Sequence, residues 1–120
     1  KDSDDTKIAI DKLQLFINAF PDSEFIEDAN NLIFELDYRL ELKEFNIALQ
    51  YNVLTDYQAA IKSFENFLID FPGSDLREKA MYYRFDSAYK LAINSVVWRQ
   101  KERIENAVSY FNSFINNLNA

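Results

Sequence analysis

The sequence predicts an all-α fold of antiparallel helical hairpins, and three observations carry that expectation. Apolar and aromatic residues return at helical spacing along the chain, which places them on one face of successive helices. Gly occurs once and Pro twice in 120 residues, too few for a meander of tight β-turns or a glycine-rich phosphate loop. The same side-chain types also recur at fixed offsets, so one supersecondary unit repeats.

Each helix has legible ends. Ser3, Asp4, Asp5 and Thr6 offer caps for a first helix over 4–20, with Ile10, Leu13, Phe16, Ile17 and Phe20 as its apolar stripe. Pro21 stops it, because the residue before a proline is driven out of the α region. Asp22 or Ser23 caps a second helix over 23–51, free of Gly and Pro, with Lys43 as the place for a kink. Its stripe is Ile26, Ala29, Leu32, Ile33, Leu36 and Leu40, then Ile47, Ala48 and Tyr51. Asn52 is expected to end it in a left-handed conformation, and Thr55 with Gln58 fits the capping box of a third helix over 56–71. Pro72, Gly73 and Ser74 supply stop, turn and cap before a fourth helix over 76–93. Asn94 and Ser95 break the chain, and a fifth helix covers 100–117.

The repeat is visible residue by residue. Ile10, Phe16, Phe20, Pro21, Ser23 and Ala29 match Ile61, Phe67, Phe71, Pro72, Ser74 and Ala80, each 51 residues on. Ala60, Ile61, Phe64, Phe67 and Leu68 match Ala107, Val108, Phe111, Phe114 and Ile115, each 47 residues on. Ile47, Ala48 and Tyr51, followed by Tyr57, Ala60, Phe64 and Pro72, fall at the spacing of one tetratricopeptide repeat, with Glu44 where Trp is usual. The expected architecture is therefore tetratricopeptide-like hairpins in a short right-handed solenoid, one domain over 1–120 cut from a longer repeat protein. Lys1 in place of Met agrees with a processed or trimmed chain.

Close packing explains the pattern. Small Ala48 and Ala60 let two helices approach, while Tyr51, Phe64 and Phe67 fill the gap between hairpins. Phe64, Phe67, Phe71, Phe111 and Phe114 are expected in the core. Tyr82, Phe85 and Tyr89 repeat the first-helix stripe, but Tyr89 lies 18 residues before Ala107, against 9 from Tyr51 to Ala60. Nine residues are thus inserted around Ala92–Arg103.

Composition narrows the chemistry. The chain has no His and no Cys, which excludes a Ser-His-Asp triad, a zinc finger, iron–sulfur ligation and a thiol redox centre. Neither a cofactor nor a metal is expected, since Asp2, Asp4 and Asp5 lack the glycine and ligand spacing of a calcium loop. A net charge of −7 disfavours a nucleic-acid partner. No stretch reaches the roughly 20 apolar residues of a membrane span.

The charge is unevenly spread. Residues 1–76 carry a net −10, whereas residues 77–103 carry a net +4. Tyr83, Arg84, Trp98, Arg99, Lys101 and Arg103 stand in the basic stretch and are the candidate protein-binding residues, because Trp and Arg dominate interface energies. Burial of Tyr82, Phe85 and Tyr89 would turn Tyr83 to another face. Trp98 has two readings, an apolar cap on the last hairpin or an exposed anchor among cations. The remaining catalytic option is a carboxylate pair such as Glu41 and Glu44, or Asp37 and Glu41, at helical spacing. Ordinary surface acids explain these equally well, and Glu44 is placed to pair with Arg39 or Lys43.

The run Asp37, Tyr38, Arg39, Leu40, Glu44, Phe45, Ile47, Ala48 and Tyr51, then Asp56, Tyr57, Ala59, Ala60, Ile61 and Phe64, resembles the BamD family of helical-repeat lipoproteins. The continuation through Phe71, Pro72, Gly73, Ser74, Ala80, Tyr82, Ala88 and Tyr89 is similar to the same family, and the likeness spans about 23–117. The resemblance implies a non-enzymatic scaffold at the periplasmic face of the outer membrane, corresponding to the family's C-terminal repeats. It implies docking of the barrel-forming subunit of the β-barrel assembly machinery as partner. Membrane association would run only through a lipid anchor that this chain does not carry. The alternatives are a generic periplasmic repeat adaptor and, less favoured, the helical solenoid of a cell-wall glycan-cleaving enzyme.

Overall fold

The structure is a computed structural model that describes residues 2–120. The described residues form five α-helices and no strand: α1 Asp2–Ala19, α2 Ile26–Val53, α3 Tyr57–Asp70, α4 Arg77–Ile93 and α5 Val97–Leu118. The chain divides into two compact units, one ending at Leu42 and one spanning Lys43–Ala120, and α2 contributes residues to both.

In the first unit Ala29 and Leu40 are buried on α2, and Ile10, Leu13, Phe16 and Ile17 are half-buried on α1. Phe20 follows the end of α1 and is exposed, its ring 5.8 Å from that of Phe16. The helix stops one residue earlier than the stripe suggested, because the last residue before Pro21 leaves the α region.

The turn after Pro21 is repeated in detail after Pro72. Ser23 Oγ accepts from Phe25 N at 3.1 Å, and Ser74 Oγ accepts from Leu76 N at 3.0 Å. The backbone N–H of Ser23 donates to Phe20 O and that of Ser74 to Phe71 O, both at 3.1 Å. Ala29 and Ala80, the two small residues that follow, are both buried. The 51-residue offset is therefore a repeat of hydrogen bonds as well as of side chains.

The second unit is built on one core. Phe45, Ala48, Ala60, Phe64, Phe67, Leu76 and Ala80 form it, with Leu49, Leu68, Phe71 and Tyr83 packed at its edge. Ala48, Ala60 and Ala80 are fully covered, and their small size leaves room for the Phe45 ring edge-on to Phe64 and Phe67, at 5.8 and 5.9 Å. Helix α4 packs on both α3 and α5. Arg77 Nε at the start of α4 donates to Asn117 Oδ1 near the end of α5, which marks the two helices as antiparallel.

Several expectations change here. Asn52 does not end α2; the left-handed residue is Thr55, at φ 64°. Thr55 N donates to Asn52 O and Asp56 N to Tyr51 O, the paired bonds of a Schellman turn. The cap of α3 is Asp56, whose carboxylate accepts from Ala59 N at 3.3 Å. Phe64 and Phe67 are buried and Phe71 and Phe114 half-buried, but Phe111 is exposed. Tyr82 and Tyr89 are exposed while Tyr83 turns inward, because the α3 side of α4 takes Ala80 and Tyr83. Arg39 lies 4.0 Å from Glu35, its i−4 neighbour, and not beside Glu44.

Candidate functional site

The inserted residues lengthen two helices and leave the turn between them short. Superposing the repeats by sequence, Tyr57 at the start of α3 corresponds to Ile104, yet α5 begins at Val97. Seven of the nine extra residues thus form an N-terminal overhang on α5, about 10 Å long at helical rise. The other two extend α4 from the equivalent of Val53 to Ile93. Helix α5 starts earlier than the position 100 expected from sequence, because Asn94–Val96 completes the reversal in three residues.

That corner is held by its own polar groups. Arg103 donates to Ser95 Oγ at 2.6 Å, and Gln100 Nε2 donates to Ser95 O at 3.1 Å. Ser95 Oγ in turn donates to Leu91 O. Val96 is the N-cap residue and makes no side-chain cap. The clamp orients the overhang, and it leaves Val97 and Trp98 81% and 82% exposed. Arg99 and Lys101 are exposed beside them.

The candidate residues therefore separate into two groups. Trp98, Arg99 and Lys101 lie together on the overhang, and Arg103 sits below them as part of the clamp. Tyr83 and Arg84 lie elsewhere, toward α3. The Tyr83 ring stacks on Phe64 at 6.2 Å and meets Phe45 edge-on at 6.4 Å. Arg84 is half-buried, its guanidinium 4.2 Å from the centre of the Tyr110 ring. Burial pulls the Arg84 pKa down, although Tyr110 and Glu65 favour its charge. Tyr110 donates its hydroxyl to Glu65 Oε2 at 3.1 Å, so Arg84, Tyr110 and Glu65 join α4, α5 and α3.

Sequence reading missed Asn52 and Phe45. Asn52 is buried, and its Nδ2 donates to Ser87 Oγ at 2.8 Å and to Asp86 Oδ2 at 3.0 Å. Ser87 Oγ passes a bond on to Tyr83 O, and Lys90 closes the set on Asp86 at 3.0 Å. The signal was the pairing of Asn52 with Ser87, polar residues one turn after Ala48 on α2 and Tyr83 on α4, positions that face the core. Among the described residues no cluster of acidic side chains is arranged to hold a metal. No described helix is long and apolar enough to cross a membrane.

These features define an all-helical hairpin protein whose cation-flanked aromatic corner stands clear of its core. Over residues 1–104 the chain matches the family model YfiO, described as outer membrane lipoprotein, and it belongs to that family. The match takes in α1 to α4 and the whole overhang of α5. Comparison with curated proteins gives no match.

Proposed function

We propose that this chain is a non-catalytic protein-docking scaffold of outer-membrane protein assembly, held at the periplasmic face and bound to the barrel-forming subunit of that machinery. Family membership supplies the setting, and lipid anchoring of the whole protein follows from the same setting. The observation that carries the reading is Trp98, 82% exposed and flanked by Arg99 and Lys101 on a helix end clamped by Arg103. A large rigid ring with cations beside it is the composition that concentrates binding energy in protein interfaces. An acidic partner face would be steered toward the one strongly basic stretch of an otherwise acidic chain. Tyr83 and Arg84 lie apart from this corner and contribute by fixing α4 against α3 and α5.

Co-purification from envelope extract tests the proposal. Full-length protein should retain the barrel-forming subunit, and Trp98→Ala or the pair Arg99→Glu and Lys101→Glu should lose most of it while remaining folded. Equal recovery with all three proteins would remove the corner from the interface.

A further inference from the structure

The overhang of α5 is tied down through a single residue. Of residues 97–103, only Gln100 and Arg103 are half-buried, and the others are exposed. A spacing of three puts these two on one face of the helix. Both side chains donate to Ser95: Gln100 Nε2 to its carbonyl at 3.1 Å, and Arg103 Nη1 to its hydroxyl at 2.6 Å. The hydroxyl has a second duty. It donates to Leu91 O, one of the last carbonyls of α4, which a helix leaves without donors of its own. Asn94 Nδ2 and Ser95 N serve two others, Lys90 O and Ala92 O. One half-buried hydroxyl thus joins the end of α4 to the overhang of α5, and its bond from Arg103 is charge-assisted.

We infer that Ser95 is a positioning residue for partner docking: its hydroxyl holds the overhang, and with it Trp98, in the orientation in which the corner binds. The inference rests on the docking role proposed for that corner. Trp98 is 82% exposed, so its place is set by the helix that carries it and not by packing around the ring. Val96 supplies no side-chain cap, so the first turns of α5 would fray without the bonds to Ser95. An anchor held in its bound geometry binds more tightly than one that must be ordered on contact. No residue of the overhang belongs to the core of the second unit, so loosening the overhang leaves that core intact.

Trp98 is the only tryptophan in the chain, so its own fluorescence anisotropy reports the overhang. In the free full chain, Ser95→Ala should add a fast nanosecond decay to that signal. The same variant should weaken binding of the periplasmic part of the barrel-forming subunit about tenfold or more. Ser95→Thr keeps the hydroxyl and should restore both. In a Trp98→Ala background, Ser95→Ala should cost little further affinity, because it acts through the corner. Should Ser95→Ala not fold, Arg103→Gln breaks the same bond from the other side and is read in the same way. Full affinity or unchanged anisotropy in Ser95→Ala, or an equal loss with and without Trp98, would overturn the inference and leave the corner in the interface. Binding indifferent to Trp98→Ala would remove the corner from the interface, and the inference with it.

Discussion

At Asn52 a single amide, sealed between the end of α2 and α4, is satisfied by Ser87 and Asp86. Removing it leaves those groups in a dry contact, so Asn52→Ala should lower stability by about 1–3 kcal/mol in urea unfolding. Thr55 works in the opposite direction. A β-branched residue at φ 64° carries the steric penalty of the left-handed region, and Thr55→Gly should raise stability by about 1 kcal/mol in the same assay. Two further groups set the alkaline limit. Burial, then Glu65, pushes the Tyr110 pKa up, and the hydrogen bond to Asp86 raises that of Lys90. Both folded-state values exceed the unfolded ones, so the folded chain holds more protons. The stabilisation is complete below the unfolded pKa values and is lost as pH rises through the folded ones, above about pH 10. Urea midpoints should fall over that range, and Tyr110→Phe should flatten the fall.

At the scale of elements, equivalent residues differ because their neighbours do. Phe64→Ala should cost about 3–5 kcal/mol, the usual loss for a buried Phe. Phe111→Ala, its repeat equivalent, should cost less than half as much, since Phe111 already meets solvent. Equal losses in chemical unfolding would mean that the two hairpins are covered alike. The five helices were legible from Pro21, Pro72 and the apolar stripes, and all lie within three residues of where those signals put them. What periodicity could not supply was the side of α4 that faces α3. A stripe of Tyr82, Phe85 and Tyr89 and a stripe of Ala80, Tyr83 and Ser87 both have helical spacing; the second turns to the core, while the first turns to α5, where Tyr82 lies 5.6 Å from Phe114 and Phe85 5.2 Å from Phe111. Burial of Phe45 was hidden for a similar reason, its position falling between the two stripes assigned to α2. The corner was half legible: the nine extra residues and their basic character stood out, but their division between α4 and α5 depended on the Ser95 clamp.

At the scale of the whole molecule, the second unit has its own core and carries an aromatic, basic overhang that stands clear of it, and this overhang is the claimed docking surface of an outer membrane lipoprotein family member. The most direct test is the association rate of the purified chain with the periplasmic part of the barrel-forming subunit, measured by stopped flow at low and high salt. Arg99→Glu with Lys101→Glu should slow association at low salt by about tenfold or more and weaken its salt dependence, because steering acts through these charges. Trp98→Ala should leave the melting temperature unchanged and speed dissociation. An unchanged low-salt rate in the folded double variant, together with unchanged dissociation of Trp98→Ala, would contradict the account.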